Sequence, residues 1–318
     1  MARQLSHSET PDEPVPHAAW SSGRSVVNGL LISLRPGQWT KNLIVFAGLV
    51  FSMKLFEPSS VLRSAQAFLV FCALSGVVYL VNDVMDRESD GRHPTKKRRP
   101  IAAGDLPVPV ALVAAAAIAA VAIAGAFALG WRFGLVATFY VALQSFYSGP
   151  LKHIVIIDVL TIAIGFVLRA VAGAVVLDVV ISHWLFVCTI LLALFIALAK
   201  RRHELVLLAD GATSHRPILG EYSAYLLDQM IAVVTASTLI AYIFYTISPE
   251  TEQKFGTSWL GLTIPFPLYG IFRYLYLVHR REGGGSPAEL LLNDRPLLAC
   301  VTFWVVAVVL IIYRPLMP

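Results

Sequence analysis

The stretch VVYLVNDVMDRESD, residues 77–90, carries an apolar run directly into a set of acidic side chains. On an α-helix, spacings of three and four residues place Asp83, Asp86 and Asp90 on one face, with Cβ atoms about 5–6 Å apart. Asn82 aligns with two of them at intervals of four. Stacked carboxylates repel one another, and at a helix C-terminus they also oppose the macrodipole. Mg²⁺ would relieve both problems, because it takes one or two carboxylates and completes its shell with water and phosphate oxygens.

The alternative for this stretch is a solvated acidic helix end, neutralised by the basic residues 96–99. The apolar residues immediately before the acids favour the metal interpretation, because they carry the carboxylates to the membrane boundary, where unpaired charge is costly.

The composition excludes a soluble enzyme. The 318 residues are 57% hydrophobic and 14% charged, whereas a soluble domain has roughly 45–50% apolar and about 25% charged residues. Spanning helices need about 20 apolar residues each, and nine such stretches predict an all-α, polytopic membrane protein with nine transmembrane helices. We expect residues 1–25 to form a disordered cytoplasmic tail and residues 26–318 to form a single catalytic domain in the membrane. The nine centres lie near Val45, Leu74, Ala117, Val141, Ile164, Leu191, Ile240, Pro267 and Val306.

The distribution of Lys and Arg predicts the orientation. Most of these 25 residues fall on the side of the N-terminus, which the positive-inside rule places in the cytoplasm. The active site is therefore expected at the cytoplasmic face of the cell membrane. The net charge of +5 is explained by this anchoring and by anionic substrates, so no nucleic-acid partner is expected.

A second group of charged residues follows the predicted sixth span, where the chain reads Lys200-Arg201-Arg202-His203-Glu204. Guanidinium and ammonium groups bind phosphate oxygens directly, so a substrate with several phosphates would suit this segment. Anchoring of the span by the positive-inside rule is the alternative.

Further candidates lie at or inside the spans. Arg169 follows Asp158 by eleven residues, about 16 Å along a helix and almost on the same face. An arginine this deep in the membrane needs a polar partner or a water-filled cavity. Two interpretations of Arg169 therefore stay open, a structural ion pair and a contact with the substrate. Lys41-Asn42, Tyr147 and Lys152 are interpreted either as interfacial residues or as phosphate contacts.

These segments together resemble the UbiA superfamily of intramembrane prenyltransferases, and within it the branch that transfers phosphoribose. The likeness covers nearly the whole chain beyond the tail. It is carried by residues 35–42 (RPGQWTKN), 82–90, 97–104 (KRRPIAAG), Tyr147-Ser148 with Lys152 and Asp158, and 200–204. Typical members have a second Asp-rich motif after the sixth span, where this chain is basic.

The resemblance implies transfer of 5-phosphoribosyl from phosphoribosyl pyrophosphate to a polyprenyl (decaprenyl) phosphate with release of diphosphate, a step that feeds cell-wall arabinan synthesis. Mg²⁺ would be held by Asp83, Asp86 and Asp90. The expected catalytic residues are these three and Asp158, and the expected substrate-binding residues are Lys41, Asn42, Asn82, Arg99, Tyr147, Lys152, Arg169, Lys200, Arg201, Arg202 and Glu204.

Two other functions remain open on the sequence. A prenyl group could move from a prenyl diphosphate to an aromatic acceptor, although the basic segment after the sixth span disfavours this. A cation-coupled lipid transporter would use the same carboxylates for a translocated ion. A homo-oligomer is compatible with the sequence.

Overall fold

A computed structural model describes residues 25–93, 96–207, 217–280 and 287–314, and all regular secondary structure within them is helical, as predicted. The predicted tail lies outside the described residues apart from Ser25, which caps the first helix. The α-helices are α1 (Val26–Ser33), α2 (Ala47–Phe51), α3 (Pro58–Met85), α4 (Arg87–Arg92), α5 (Val108–Leu129), α6 (Trp131–Ser148), α7 (Ile157–Val175), α8 (His183–Leu207), α9 (Ala224–Ile247), α10 (Pro249–Phe255), α11 (Pro265–Arg280), α12 (Pro287–Asn293) and α13 (Arg295–Tyr313).

Local sequence explains where several helices begin. Proline stands in the first turn of α3, α10 and α13, where its missing N–H group costs no helical hydrogen bond. The side chains of Ser223, Ser248 and Asp294 each accept a hydrogen bond from a backbone N–H in the first turn of α9, α10 and α13. These caps satisfy donors that a helix end otherwise leaves without partners.

Six of the described helices are long and apolar enough to cross a membrane: α3, α5, α7, α8, α9 and α13. The chain is therefore a multi-pass membrane protein. The predicted centres near Val45, Val141 and Pro267 are also helical, but their helices fall short of the same length or hydropathy. The structure therefore confirms six of the nine predicted spans as long, apolar helices and leaves the other three unconfirmed.

Helices that follow one another in the chain pack side by side, from α3 against α5 through α8 against α9, and α11 packs against α13. The end of the last helix also contacts the first membrane segment. The Tyr313 hydroxyl accepts a hydrogen bond from the Leu55 N–H at 3.0 Å and donates to the Val50 carbonyl at 3.1 Å. The last helix is thereby tied to the end of the first predicted span.

The first predicted span is a broken helix. A 3-10 segment, Pro36–Phe46, leads into the short α2, and it begins after Arg35, whose φ of 52° lies in the left-handed region. This segment packs on α7 without intervening side chains, since Gly48 and Gly173 meet backbone to backbone. Small residues allow such close approach between membrane helices. The broken segment is therefore held by contact with α7.

Replacing Gly173 by alanine tests this contact. The new Cβ would lie 1.9 Å from the Val45 carbonyl oxygen, so we expect the free energy of unfolding to fall by about 3 kcal/mol, the upper part of the usual overpacking range. Gly125→Ala is the matched control, because its added Cβ meets no atom of the described chain within 4 Å apart from its own helix backbone. Thermal unfolding in detergent measures both. Equal midpoints for the two variants would contradict the close packing.

Candidate active site

Two carboxylates, Asp83 in the last turn of α3 and Asp90 in α4, are buried and both pair with Arg99. Asp83 is only 2% exposed, and its Oδ1 accepts hydrogen bonds from Arg35 Nη2 at 2.5 Å and from Arg99 Nη1 at 3.1 Å. The same Arg99 nitrogen lies 2.6 Å from Asp90 Oδ2. Asp83 and Asp90 therefore face one common point. We call these four residues the acidic cluster.

The predicted straight stripe of three acids is wrong in one respect. Helix α3 ends at Met85, and Asp86 has φ −90° and ψ 7° before α4 begins at Arg87. This bend leaves Asp83 and Asp90 inside, while the Asp86 side chain is 43% exposed and lies 3.6 Å from Lys152 Nζ. Asp86 thus stands at the rim of the cluster and faces the connection between α6 and α7.

Two more side chains contact the acidic cluster. Lys96 Nζ lies 4.0 Å from Asp90 Oδ1, and the guanidinium of Arg35 lies over the ring of Tyr79, 4.7 Å from its centroid. Arg35 was not among the predicted site residues. The sequence signal for it was its position, directly before Pro36-Gly37 in a motif that carried the resemblance.

Within the described ranges, no three His, Cys, Asp or Glu side chains lie close enough together to hold a metal ion. The donor set nevertheless fits Mg²⁺, which needs only one or two carboxylates in addition to water and phosphate oxygens. Asp83 and Asp90 already place two carboxylates around one positive charge, that of Arg99. In addition, the buried Asn82 Oδ1 has no hydrogen-bond partner among the residues described.

A second cluster joins α6, α7 and α8. Arg201 is 1% exposed, and its Nε lies 2.9 Å from Oδ2 of the fully buried Asp158. Its Nη1 donates to Glu204 at 2.5 Å, and the Tyr147 side chain lies within hydrogen-bonding reach. We call Tyr147, Asp158, Arg201 and Glu204 the α7–α8 cluster. The structure brings these four predicted residues together.

The other two predicted cations of this segment differ in direction: Lys200 stays beside the α7–α8 cluster, whereas Arg202 points away from it, so the three cations do not face one point. Lys200 Nζ lies 3.8 Å from Glu204, and Arg202 pairs with Asp228 of α9, which also lies 3.3 Å from His279. The reason is geometric, because consecutive residues on a helix are separated by about 100°. The sequence alone did not identify Asp228 as a partner.

Arg169 lies in a buried network of neutral groups. Its Nε donates to Asn42 Oδ1 and its Nη2 to the Tyr140 hydroxyl, both at 2.7 Å, and Nη1 donates to the Gly165 carbonyl at 2.8 Å. Asn42 in turn donates to Ser75 at 3.2 Å. Across the ranges described, no carboxylate pairs with Arg169. The network joins the broken first segment, which also carries the partly buried Lys41, to α6 and α7.

The comparisons with known proteins agree with this architecture. Residues 42–293 match the UbiA prenyltransferase family. The chain belongs to the UbiA prenyltransferase family. Two relatives, from Corynebacterium glutamicum and Mycobacterium tuberculosis, carry the name decaprenyl-phosphate phosphoribosyltransferase. The first is 32% identical over 295 residues, covering 91% of this chain and 88% of the relative. The second is 32% identical over 291 residues, covering 89% and 94%.

The UbiA fold is also present in a solved structure, a UbiA homolog from Archaeoglobus fulgidus bound to GPP and Mg²⁺. The TM-score is 0.70 at 18% identity, over 89% of this chain and 99% of that one. The predicted family is therefore confirmed, and with it the assignment of this chain to a transferase family.

Proposed function

We propose that this UbiA-family chain transfers the 5-phosphoribosyl group from phosphoribosyl pyrophosphate to a polyprenyl phosphate such as decaprenyl phosphate, and releases diphosphate. The names of the relatives that match nine-tenths of the chain support this substrate pair. The main structural support is the acidic cluster, in which two buried carboxylates face one point and the cations Arg35, Lys96 and Arg99 lie within 4.0 Å of them. Such a mixture suits a metal-bound diphosphate on a sugar that carries another phosphate.

In the proposed reaction, a phosphate oxygen of the lipid acceptor forms a bond to C1 of the ribose. The bond from C1 to the diphosphate oxygen breaks, and its electron pair leaves with diphosphate. Positive charge develops on the ribose ring as this bond stretches. Since the attacking oxygen is already anionic, no protein base has to remove a proton. The protein contributes by positioning the substrates and stabilising charge.

The described residues suit these tasks. Asp83 and Asp90, with Asn82 beside them and Asp86 at the rim, would hold Mg²⁺. When bound, the metal neutralises the charge that accumulates on the departing diphosphate. Arg35 pairs with Asp83, Arg99 with both Asp83 and Asp90, and Lys152 with Asp86. These cations would exchange part of that pairing for phosphate oxygens when the donor binds.

The α7–α8 cluster has a different role in this proposal. Asp158 and Glu204 hold the buried Arg201, which in turn orders Tyr147 at the end of α6. Arg169 and Asn42 hold the broken first segment against α7 and so keep Arg35 above Asp83. The site would face the cytoplasm of the cell membrane, and the product would serve cell-wall arabinan synthesis.

A donor-choice assay tests this function. The purified protein in lipid nanodiscs receives Mg²⁺ and decaprenyl phosphate with phosphoribosyl pyrophosphate, or geranyl diphosphate with 4-hydroxybenzoate in parallel. We expect diphosphate release and a lipid product heavier by one phosphoribosyl group in the first reaction only, as detected by mass spectrometry. A prenylated aromatic product without phosphoribosyl lipid would instead establish prenyl transfer. Absence of both products would contradict the proposal.

A further inference from the structure

The turn that leads into α7 holds a β-branched residue in a strained conformation. Ile156 has φ 68° and ψ −43°, a region that β-branched residues rarely enter. Such a residue persists only where its surroundings hold it there. The backbone N–H of Ile156 donates to the hydroxyl of Tyr222 at 2.7 Å. Tyr222 follows the 3-10 segment Pro217–Glu221 and therefore comes from a distant part of the chain.

The same hydroxyl also contacts the α7–α8 cluster. It lies 2.7 Å from Asp158 Oδ1, and since the Ile156 N–H is only a donor, the tyrosine proton goes to the carboxylate. Burial raises the pKa of Tyr222 to about 12, so the hydroxyl keeps this proton at neutral pH. A single buried oxygen thus ties a strained backbone turn to a buried carboxylate.

Both attachments lead to predicted site residues. The other oxygen of Asp158 pairs with Arg201 at 2.9 Å, so Tyr222 fixes the carboxylate that orients the buried guanidinium. The strained turn ends the α6–α7 connection, which carries Lys152 opposite Asp86. This connection runs from Tyr147 of the α7–α8 cluster, past Lys152, to the turn before Asp158.

We propose that Tyr222 is a positioning residue for the diphosphate portion of the substrate, acting through Asp158 and Arg201 on one side and through the Lys152 connection on the other. This inference rests on the proposed function only in assuming a diphosphate-bearing donor. Its substrate class is a Mg²⁺-bound diphosphate, whatever group the diphosphate carries. Tyr222 itself need not touch the substrate.

Binding of inorganic diphosphate tests the inference without requiring turnover. Isothermal titration of the full-length protein with diphosphate and Mg²⁺ compares wild type with Tyr222→Phe. We expect Kd to rise about tenfold in the variant, the scale expected when a hydrogen bond to a charged group is lost. In the turnover assay, the donor KM should rise by a similar factor, while kcat and the KM for the lipid acceptor change less than about threefold.

Tyr274→Phe is the matched control. Tyr274 is also buried, but its hydroxyl has no hydrogen-bond partner among the described residues, so its loss should leave Kd unchanged. If Tyr222→Phe is not recovered as folded protein, Asp158→Asn weakens the same acceptor and should also raise Kd.

The outcomes separate the two proposals. A lower unfolding temperature for Tyr222→Phe with an unchanged Kd for diphosphate would show a purely structural role and overturn the inference. If diphosphate binding weakens as expected while wild type fails to use phosphoribosyl pyrophosphate, the positioning role stands and the proposed donor is wrong.

Discussion

Asp83→Asn is expected to lower Mg²⁺-dependent diphosphate release by on the order of 100-fold or more, with folded protein still recovered. Asp83 accepts hydrogen bonds from two arginines and supplies one of the two buried carboxylates proposed to hold the metal. Asparagine keeps the size of the side chain but removes its charge, so both functions weaken together. Losses of this size are typical when a group that stabilises charge in a transition state is removed. Initial rates at saturating donor and acceptor measure the effect.

Asp178→Asn provides the matched control for this change of charge. Asp178 follows the C-terminal end of α7, whereas Asp158 lies at its N-terminal end. The Asp178 side chain is 86% exposed, and its Oδ1 lies 3.4 Å from Arg132 Nη1. We expect its rate to equal that of wild type. If Asp83→Asn kept more than a third of the wild-type rate, the acidic cluster would not be the site of the reaction.

Arg201→Met is expected to produce the largest loss of stability among the site variants. Arg201 and Asp158 are both buried, and removing the arginine leaves a carboxylate without its counter-charge. Breaking a buried ion pair in this way costs about 3–5 kcal/mol. Unfolding in detergent, followed by heating or by titration with SDS, should show a reduction of this size in the free energy of unfolding.

Two further variants sharpen that test. Arg202→Met removes a neighbouring arginine whose pair with Asp228 is partly exposed, so it should cost no more than about 1 kcal/mol. The double variant Arg201→Met with Asp158→Asn should regain part of the lost stability, because the remaining buried group is neutral. A cost for Arg201→Met equal to that of Arg202→Met would contradict the buried pair.

The sequence predicted the features that depend on local pattern. Long apolar stretches in a membrane form helices, because lipid satisfies no backbone hydrogen bonds. The acids of residues 82–90 were predicted to share one helix face, and of the three, Asp83 and Asp90 do meet, through Arg99. The charged segment 200–204, predicted either to bind phosphates or to anchor the sixth span, lies in the last turns of α8, where Lys200 and Arg201 pair with Glu204 one turn away. In these cases, neighbours along the chain are also neighbours in space.

Features that depend on distant contacts were not predictable in this way. The bend at Asp86 turns one predicted acid outward, and the different directions of Arg201 and Arg202 depend on which helices lie beside α8. The contact of Tyr222 with Asp158 joins residues separated by 64 positions. The close approach of the broken first segment to α7 at Gly173 is likewise a contact between distant parts of the chain, which no pattern of apolar residues reveals.

The central claim is that Asp83 and Asp90 hold a divalent cation that carries the phosphorylated donor. Electron paramagnetic resonance with Mn²⁺ in place of Mg²⁺ tests it most directly, with phosphoribosyl pyrophosphate present. For wild type we predict tightly bound Mn²⁺ whose spectrum shows coupling to phosphorus nuclei, and for the double variant Asp83→Asn with Asp90→Asn we predict loss of that bound ion. Equal Mn²⁺ binding in both proteins, or bound Mn²⁺ without phosphorus coupling in wild type, would contradict the claim.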